Sequence, residues 1–251
     1  MMKAIILAAG YATRLYPLTK DKPKPLLPIA DKPMINYIME KIESIDAIDT
    51  VYVVTNNKFY SHFTDWAAEY LDNTSKRIEV INDGTMSDDD KRGAIGDMKF
   101  VVDKKKINDD LIIIGGDNIF EFNVKDAVDF FYDKEDPVVV IHDVKHDEIA
   151  MRMGVVELDE NEKLINFVEK PPKPKTTLIA ICMYLLPKKD LHHIDDYLNK
   201  GKNPDQPGRF IEWLHTVRHT FGFVFQGEWF DIGDKEKLKE ADELYRKRQE
   251  N

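Results

Sequence analysis

Short apolar runs alternate with helical stripes through the first 141 residues, and this alternation narrows the choice of fold more than any other feature. Residues 3–7, 50–55, 77–81, 111–114 and 137–141 read as strands, rich in Ile and Val and bounded by polar or small residues. Between them Met34, Ile35, Ile38, Met39, Ile42 and Ile45 fall on one helical stripe, with Pro33 placed for its first turn. Residues 59–71 and 126–132 give two more helices. Strand–helix alternation of this kind requires an α/β chain with a mostly parallel central sheet and helices on both faces.

The second half reads differently. Residues 154–159 and 163–169 predict a hairpin around the polar turn Glu160-Asn161-Glu162. A proline-rich loop at 171–174 leads to a strand over 177–186. Helical patterns follow at 188–199 and 209–219, then a strand at 221–225. Residues 235–248 read as a charged helix with Leu238, Ala241, Leu244 and Tyr245 on one side. Phe210, Trp213, Phe221, Phe223 and Phe225 are expected in the core. No internal repeat or low-complexity linker interrupts the chain.

Charge narrows the ligand. The 251 residues carry a formal net charge of −10, which argues against a nucleic-acid partner. Residues 1–32 run the other way, with Lys3, Arg14, Lys20, Lys22, Lys24 and Lys32 against Asp21 and Asp31. A compact basic loop in an acidic chain suits a small anion, the alternative being a solvated charged loop. That loop is Ala8-Ala9-Gly10-Tyr11-Ala12-Thr13-Arg14-Leu15, followed by Lys20 to Ile29. Small residues let a polyphosphate approach the backbone N–H groups, and the nearby cations neutralise it. Five prolines (Pro17, Pro23, Pro25, Pro28, Pro33) predict a stiff, extended loop rather than a helical one. No run is long enough to span a membrane, and no signal-peptide pattern opens the chain. A single cysteine, Cys182, excludes an intramolecular disulfide and makes the cytoplasm the expected compartment.

Ligands of open α/β sheets sit beyond the carboxyl ends of the strands. Gly10–Arg14, Gly115-Gly116-Asp117-Asn118 and Asp231 are expected there. An Asp at a strand end, after two glycines that admit a ligand, is either a turn cap or a Mg²⁺ ligand. Mg²⁺ needs only one or two carboxylates beside phosphate oxygens and water.

Together these segments resemble the sugar nucleotidyltransferase family, the nucleotide-sugar pyrophosphorylases typified by glucose-1-phosphate thymidylyltransferase. The family's G-x-G-T-R-L signature is similar to Gly10-Tyr11-Ala12-Thr13-Arg14-Leu15, and its K-P-L-L-P-I to Lys24-Pro25-Leu26-Leu27-Pro28-Ile29. Its G-D-N resembles Gly116-Asp117-Asn118, and its x-G-V-V resembles Met153-Gly154-Val155-Val156. V-E-K-P is matched by Val168 to Pro171, and W-x-D-I-G by Trp229 to Gly233. The resemblance implies a Rossmann-like three-layer sandwich, a mostly parallel mixed sheet with an inserted sugar-binding β lobe. It implies one domain, with residues 1–135 mainly nucleotide-binding, 136–234 mainly sugar-binding and 235–251 a C-terminal helix that is a candidate homo-oligomer surface.

The implied reaction moves a nucleoside monophosphate from a nucleoside triphosphate, dTTP or UTP, to a sugar 1-phosphate with Mg²⁺ and releases pyrophosphate. By the same resemblance Arg14, Lys24 and Lys170 are the expected catalytic cations. Ala8, Ala9, Gly10, Thr13, Arg14, Lys24, Asn82, Gly93 and Asp117 are expected to bind the nucleotide. Asn118, Gly154, Glu169, Lys170 and Tyr184 are expected to bind the sugar, and Asp117 and Asp231 the metal. Two departures stand out: Ala12 replaces the second signature glycine, and Cys182 replaces the glycine of a G-x-Y segment. The acidic stretch between Ile81 and Gly96 leaves the base unread. A cytidylyltransferase acting on a non-hexose phosphate such as phosphocholine is the alternative, as is a nucleotide-sugar-binding relative without turnover.

Other patterns carry less. Gly10-Tyr11-Ala12 lacks the later glycines of a dinucleotide fingerprint. His215 and His219 lack the Glu of a zinc-protease helix. Asp88 and Asp90 lie in a triple-Asp run that reads as a loop, and His192-His193 with Asp195-Asp196 reads as a solvated helix face.

Overall fold

The computed structural model describes residues 1–249, so the last two positions of the 235–251 segment lie outside the described residues. β1 (Met2–Leu7) enters a long loop holding a small antiparallel pair, β2 (Pro28–Ile29) and β3 (Lys32–Pro33). Then come α1 (Met34–Glu43), β4 (Ile48–Thr55), α2 (Tyr60–Tyr70), β5 (Arg77–Asn82), α3 (Ala94–Lys105) and β6 (Asp110–Gly115). β1 pairs parallel with both β4 and β6, and β4 parallel with β5. β1, β4 and β6 are largely buried along their length because both of their faces are covered, whereas the edge strand β5 alternates polar and apolar residues.

Side-chain alternation along β1 divides the interior. Ala4 and Ile6 join a core with Ile35, Ile38 and Ile42 of α1 and Phe63 and Trp66 of α2. Ile5 points the other way, toward Ile95, Met98 and Val101 of α3. A helix layer thus lies on each face of the sheet, the expected three-layer arrangement.

The chain continues through β7 (Asn118–Phe120), α4 (Val124–Lys134), β8 (Val138–Asp143), the single-turn α5 (Asp147–Ala150), β9 (Gly154–Leu158), β10 (Leu164–Glu169) and β11 (Leu178–Leu186). It closes with α6 (His192–Asn199), α7 (Pro207–Val217), β12 (Phe221–Phe225), β13 (Trp229–Asp231) and α8 (Lys235–Gln249). β9 and β10 form the expected antiparallel hairpin.

β11 joins the two halves. It runs antiparallel to β8 along one edge. On its other edge Ile179 and Ala180 pair with β9, whereas Met183 to Leu186 pair with β6. The change of partner occurs at an irregularity between Ala180 and Tyr184, where Cys182 has φ +56°. A left-handed residue fits such a bulge, and glycine adopts it without steric cost. Position 182, where the resembled G-x-Y pattern has glycine, thus holds a backbone conformation that a glycine adopts most easily. Cys182→Gly is expected to stay within about 1 kcal/mol of the parent in chemical denaturation, relief of strain offsetting lost sulfur packing. The β-branched Cys182→Val should lose about 2–3 kcal/mol.

Two expectations change. The five-proline loop is not simply extended, because Thr13–Leu15 and Lys24–Leu26 each form a 3₁₀ turn. The aromatic group divides between the two cores, Phe210 and Trp213 on the α3 side and Phe221, Phe223 and Phe225 on the other. The apolar side of α8 is covered by its own chain: Ala241, Leu238, Leu244 and Tyr245 pack with Ile29, Met34 and Tyr37. Arg246 adds ion pairs to Asp31 at 2.7 Å and to Asp242 at 2.8 Å.

Candidate active site

The opening loop is held from beneath. The backbone N–H of Ala8 donates to the Val54 carbonyl and that of Gly116 to the Leu7 carbonyl, each at 2.9 Å. The fully buried Asn56 donates its amide to the Ala9 carbonyl at 2.9 Å and accepts from the Phe59 N–H at 3.0 Å. Asn56 thus positions the Ala8-Ala9-Gly10 turn, a role with no signal in the sequence beyond its place just past a strand. A Cβ on Gly10 would meet nothing within 4 Å, so this glycine borders open space. Ala12 has φ +47°, and its carbonyl accepts from the Thr19 hydroxyl at 2.7 Å and the Leu15 N–H at 3.0 Å. The second signature glycine therefore answers to backbone conformation. Thr13 and Arg14 follow, both exposed.

The 3₁₀ turn that follows Pro23 carries Lys24, which is only 9% exposed. Its Nζ lies 2.7 Å from Oδ2 of Asp117. Asp117 follows β6, and Asp231 ends β13. These residues, 114 positions apart, meet because β13 pairs antiparallel with β7, setting Asp231 opposite Asn118. The Ile232 N–H also donates to the Asp117 carbonyl at 3.3 Å.

The two carboxyls are driven in opposite directions. Burial disfavours ionisation of Asp117, yet the Lys24 ammonium holds it below the usual carboxylate range. Burial and then the Asp117 charge push Asp231 up to about 6, with Lys24 and Arg14 opposing. Arg14 is therefore electrostatically part of this cluster. Cys182 lies under it, its thiol pushed up by burial and by both aspartates.

The glycines before Asp117 do not open a ligand path. The place of a Cβ on Gly115 is taken by the Asn118 amide at 2.7 Å and the Cys182 sulfur at 3.2 Å. On Gly116 it is taken by the Leu7 carbonyl at 2.8 Å. Asn118 itself is 3% exposed; its Oδ1 accepts from the Trp229 indole at 2.9 Å, tying β7 to β13. This bond braces β7 against β13 at the edge of the aspartate pair.

Glu169, Lys170, Gly154 and Tyr184 form a second group. Lys170 Nζ lies 3.8 Å from Glu169 Oε1, and Lys170 has φ +53°. The Lys170 N–H donates to the Met153 carbonyl at 2.9 Å, fixing this loop against β9. Burial raises the Glu169 carboxyl despite Lys170 and Arg209. Burial also raises the Tyr184 hydroxyl, followed by the neighbouring Cys182 and Glu169.

Gly208, at the start of α7, was not legible as a site residue. A side chain there would overlap Oε2 of Glu169, and one on Gly154 would meet Phe167 and, at 3.1 Å, Glu169. These two glycines make the slot that holds the Glu169 carboxylate. Gly208→Ala is expected to displace it, weakening any ligand that Glu169 holds about ten- to a hundredfold, the worth of a hydrogen bond to a charged group. Binding at the Lys24–Asp117 end of the site should stay within about twofold. Equal effects at both ends would place Glu169 elsewhere in the chemistry.

The region expected to read the base is built as follows. Asn82 closes a turn by accepting from the Gly84 N–H at 2.8 Å and donates to Asn57 at 2.7 Å. Gly93 has φ +77° and lies against the Pro204 and Asp205 backbone, where a Cβ would come within 2.6 Å. Between them the buried Asp83 accepts from the Thr85 N–H at 2.7 Å, and Thr85 faces the Tyr11 hydroxyl at 3.4 Å. Asp97 of α3, which was not anticipated, is pushed up to about 8 by burial and then by Asp83. The weak amphipathicity of α3, with Gly96, Asp97 and a lysine-rich end, had concealed the whole helix.

Comparison with known proteins identifies the family. A family model described as nucleotidyl transferase matches residues 3–248. The bifunctional protein GlmU of Methanocaldococcus jannaschii is 32% identical over 246 residues, covering 96% of this chain and 53% of that protein. The glucose-1-phosphate adenylyltransferase of Clostridium acetobutylicum is 28% identical over 251 residues, covering 95% of this chain and 65% of its own length. The chain thus spans about half to two thirds of the length of these curated relatives. A Bacillus anthracis crystal structure, described as a glucose-1-phosphate thymidylyltransferase in complex with sucrose, superposes with a TM-score of 0.83 at 26% identity, covering 98% of this chain and 96% of that one. With the basic N-terminal loop, the paired aspartates and an unbroken match along almost its whole length, the chain belongs to the nucleotidyl transferase family.

Proposed function

We propose that this protein transfers a nucleoside monophosphate from dTTP or UTP to a sugar 1-phosphate, forming a nucleotide-sugar and pyrophosphate. The observation that carries this reading is the meeting of Asp117 and Asp231, through the β7–β13 pair, beside Lys24 and Arg14. The relatives include an adenylyltransferase and a thymidylyltransferase, which supports the reaction class more than any one base.

The donor set fits Mg²⁺. Two carboxylates close enough for one to raise the other hold an excess of negative charge that a hard divalent cation relieves. Asp117 and Asp231 would hold it, and when bound it would neutralise triphosphate oxygens.

The protein's own groups divide the remaining work. An oxygen of the sugar phosphate attacks the α-phosphorus in line; the new P–O bond forms as the bond to pyrophosphate breaks. The attacking phosphate has a second pKa of about 6, so it needs no general base near neutral pH. Arg14, with its planar fork, holds the departing pyrophosphate, and Lys24 faces the α-phosphate as a point charge. The backbone of Ala8, Ala9, Gly10 and Thr13 lines the triphosphate, and Asn82 and Gly93 border the base. Lys170 receives the incoming phosphate, while Glu169, in its glycine-lined slot, accepts from sugar hydroxyls. Tyr184 and Gly154 shape that pocket. These groups act mainly by neutralising repulsion between two polyanions and by positioning them. We place the reaction in the cytoplasm, where the lone thiol stays reduced.

The test is a matrix of five nucleoside triphosphates against several sugar 1-phosphates and phosphocholine, with Mg²⁺ and a pyrophosphate readout. Turnover confined to sugar phosphates with dTTP or UTP supports the reading. Turnover with CTP and phosphocholine replaces it with the cytidylyltransferase, and a blank matrix with measurable nucleotide-sugar binding replaces it with a non-catalytic binder.

A further inference from the structure

We propose that His192, His193 and Asp196 form a binding site for a borderline transition-metal ion of the Zn²⁺ type, built from residues that take no part in the site described above. The three lie on the first turns of α6, and one ligand atom from each lies within 4.8 Å of the others. Asp196 Oδ2 is 3.2 Å from His193 Nδ1 and 3.9 Å from His192 Nε2. A tetrahedral ion with bonds of about 2.0–2.1 Å holds its ligand atoms about 3.4 Å apart. Small rotations of exposed side chains close the difference.

What separates this cluster from an ordinary solvated face is the backing behind each imidazole. Nδ1 of His192 lies 2.9 Å from the Lys189 carbonyl, which can only accept. The proton is therefore on Nδ1, and the Nε2 lone pair is left toward Asp196. His193 is inserted rather than splayed, its side chain 15% exposed and edge-on to Trp213 at 5.9 Å. Its Nε2 faces Oδ1 of the buried Asp190 at 3.8 Å, and Asp190 is held by Arg218 Nε at 2.9 Å. A carbonyl accepting from the ring behind one ligand is the outer arrangement that orients a metal-binding histidine, and Asp190 places a negative charge near the other.

Two imidazoles with one carboxylate favour Zn²⁺ and its neighbours over Mg²⁺, which prefers oxygen alone. Asp196 and His192 are exposed, so an ion can enter from solvent. Beside them a hollow lined by Asn199, Lys200, Trp213 and Val217 leaves room for water in the remaining position. Bound there, the ion would clip positions 192, 193 and 196 together and brace the start of α6.

The test is calorimetric titration of the protein with Zn²⁺ in excess Mg²⁺, which keeps Asp117 and Asp231 occupied. One equivalent is expected to bind. His192→Asn and Asp196→Asn, both at exposed positions, should each weaken it at least about tenfold. Asp117→Asn and Asp231→Asn should leave the isotherm unchanged. Co²⁺ in place of Zn²⁺ should give a visible absorption that disappears in His192→Asn. Absence of a binding heat, identical isotherms for parent and His192→Asn, or loss of binding in Asp117→Asn would each overturn the proposal.

Discussion

Asp231→Asn is expected to make the ligand-free protein more stable at pH 7.5 while reducing pyrophosphate release by about 10²–10³-fold. The Asp231 carboxyl is pushed from 3.8 up to about 6, first by burial and then by Asp117. Below about pH 4 it is protonated in both folded and unfolded chains, and Asn is a near-equal replacement. Between about 4 and 6 the folded protein binds the proton more tightly than the unfolded chain, so the parent loses stability as pH rises. Above 6 the deficit is complete, at most about 3 kcal/mol for a shift of this size. For a chain of this length that is several degrees in Tm. Thermal melts of parent and variant at pH 4, 5, 6 and 7.5 should coincide at the acid end and separate upward. Mg²⁺ should narrow the gap by stabilising the parent alone. Parallel curves at every pH would dissociate Asp231 from the charge cluster.

Lys24→Met should reduce kcat/KM about 10³-fold, with a smaller loss of stability. The ammonium stands 2.7 Å from Asp117 and supplies the main attraction that keeps this carboxyl ionised despite burial. Without it Asp117 is expected to titrate at higher pH. The stability loss should stay near 1–2 kcal/mol, because the Asp117 side chain remains 40% exposed and solvent screens the pair. Lys24→Arg should not restore turnover, since Lys24 is only 9% exposed and a planar guanidinium cannot take the place of a compact point charge against Asp117. Coupling is the decisive measurement. If Lys24→Met and Asp117→Asn act on one cluster, the double variant should lose far less than the product of the single losses. Multiplicative losses, or near-normal turnover of Lys24→Met, would remove Lys24 from the reacting centre.

Legibility followed periodicity. β1, β4, β6 and α1 were plain because burial on two faces, or on one helical face, writes a regular apolar pattern. α3 was hidden because only Ile95, Met98 and Val101 mark its buried side, amid Gly96, Asp97 and several lysines. β7 and β13 were missed as strands because three residues are too few to show a period. Among the residues proposed for the site, Lys24, Asp117, Glu169 and Asp231 carry a motif signal. Asn56 and Gly208 do not, since a buried amide holding a carbonyl and a glycine making room for a distant carboxylate leave no local pattern.

By itself the amino-acid order determined the layered α/β architecture, the basic loop and the identity of the charged groups, because strand burial, helix faces and residue chemistry are local properties. Only the tertiary structure decided that Asp231 reaches Asp117 through the β7–β13 pair, that Cys182 sits in a left-handed bulge where β11 exchanges partners, and that the glycines before Asp117 serve protein packing. Each of these depends on contacts between residues far apart in the chain, and such contacts are set by strand register and by close packing of the whole interior.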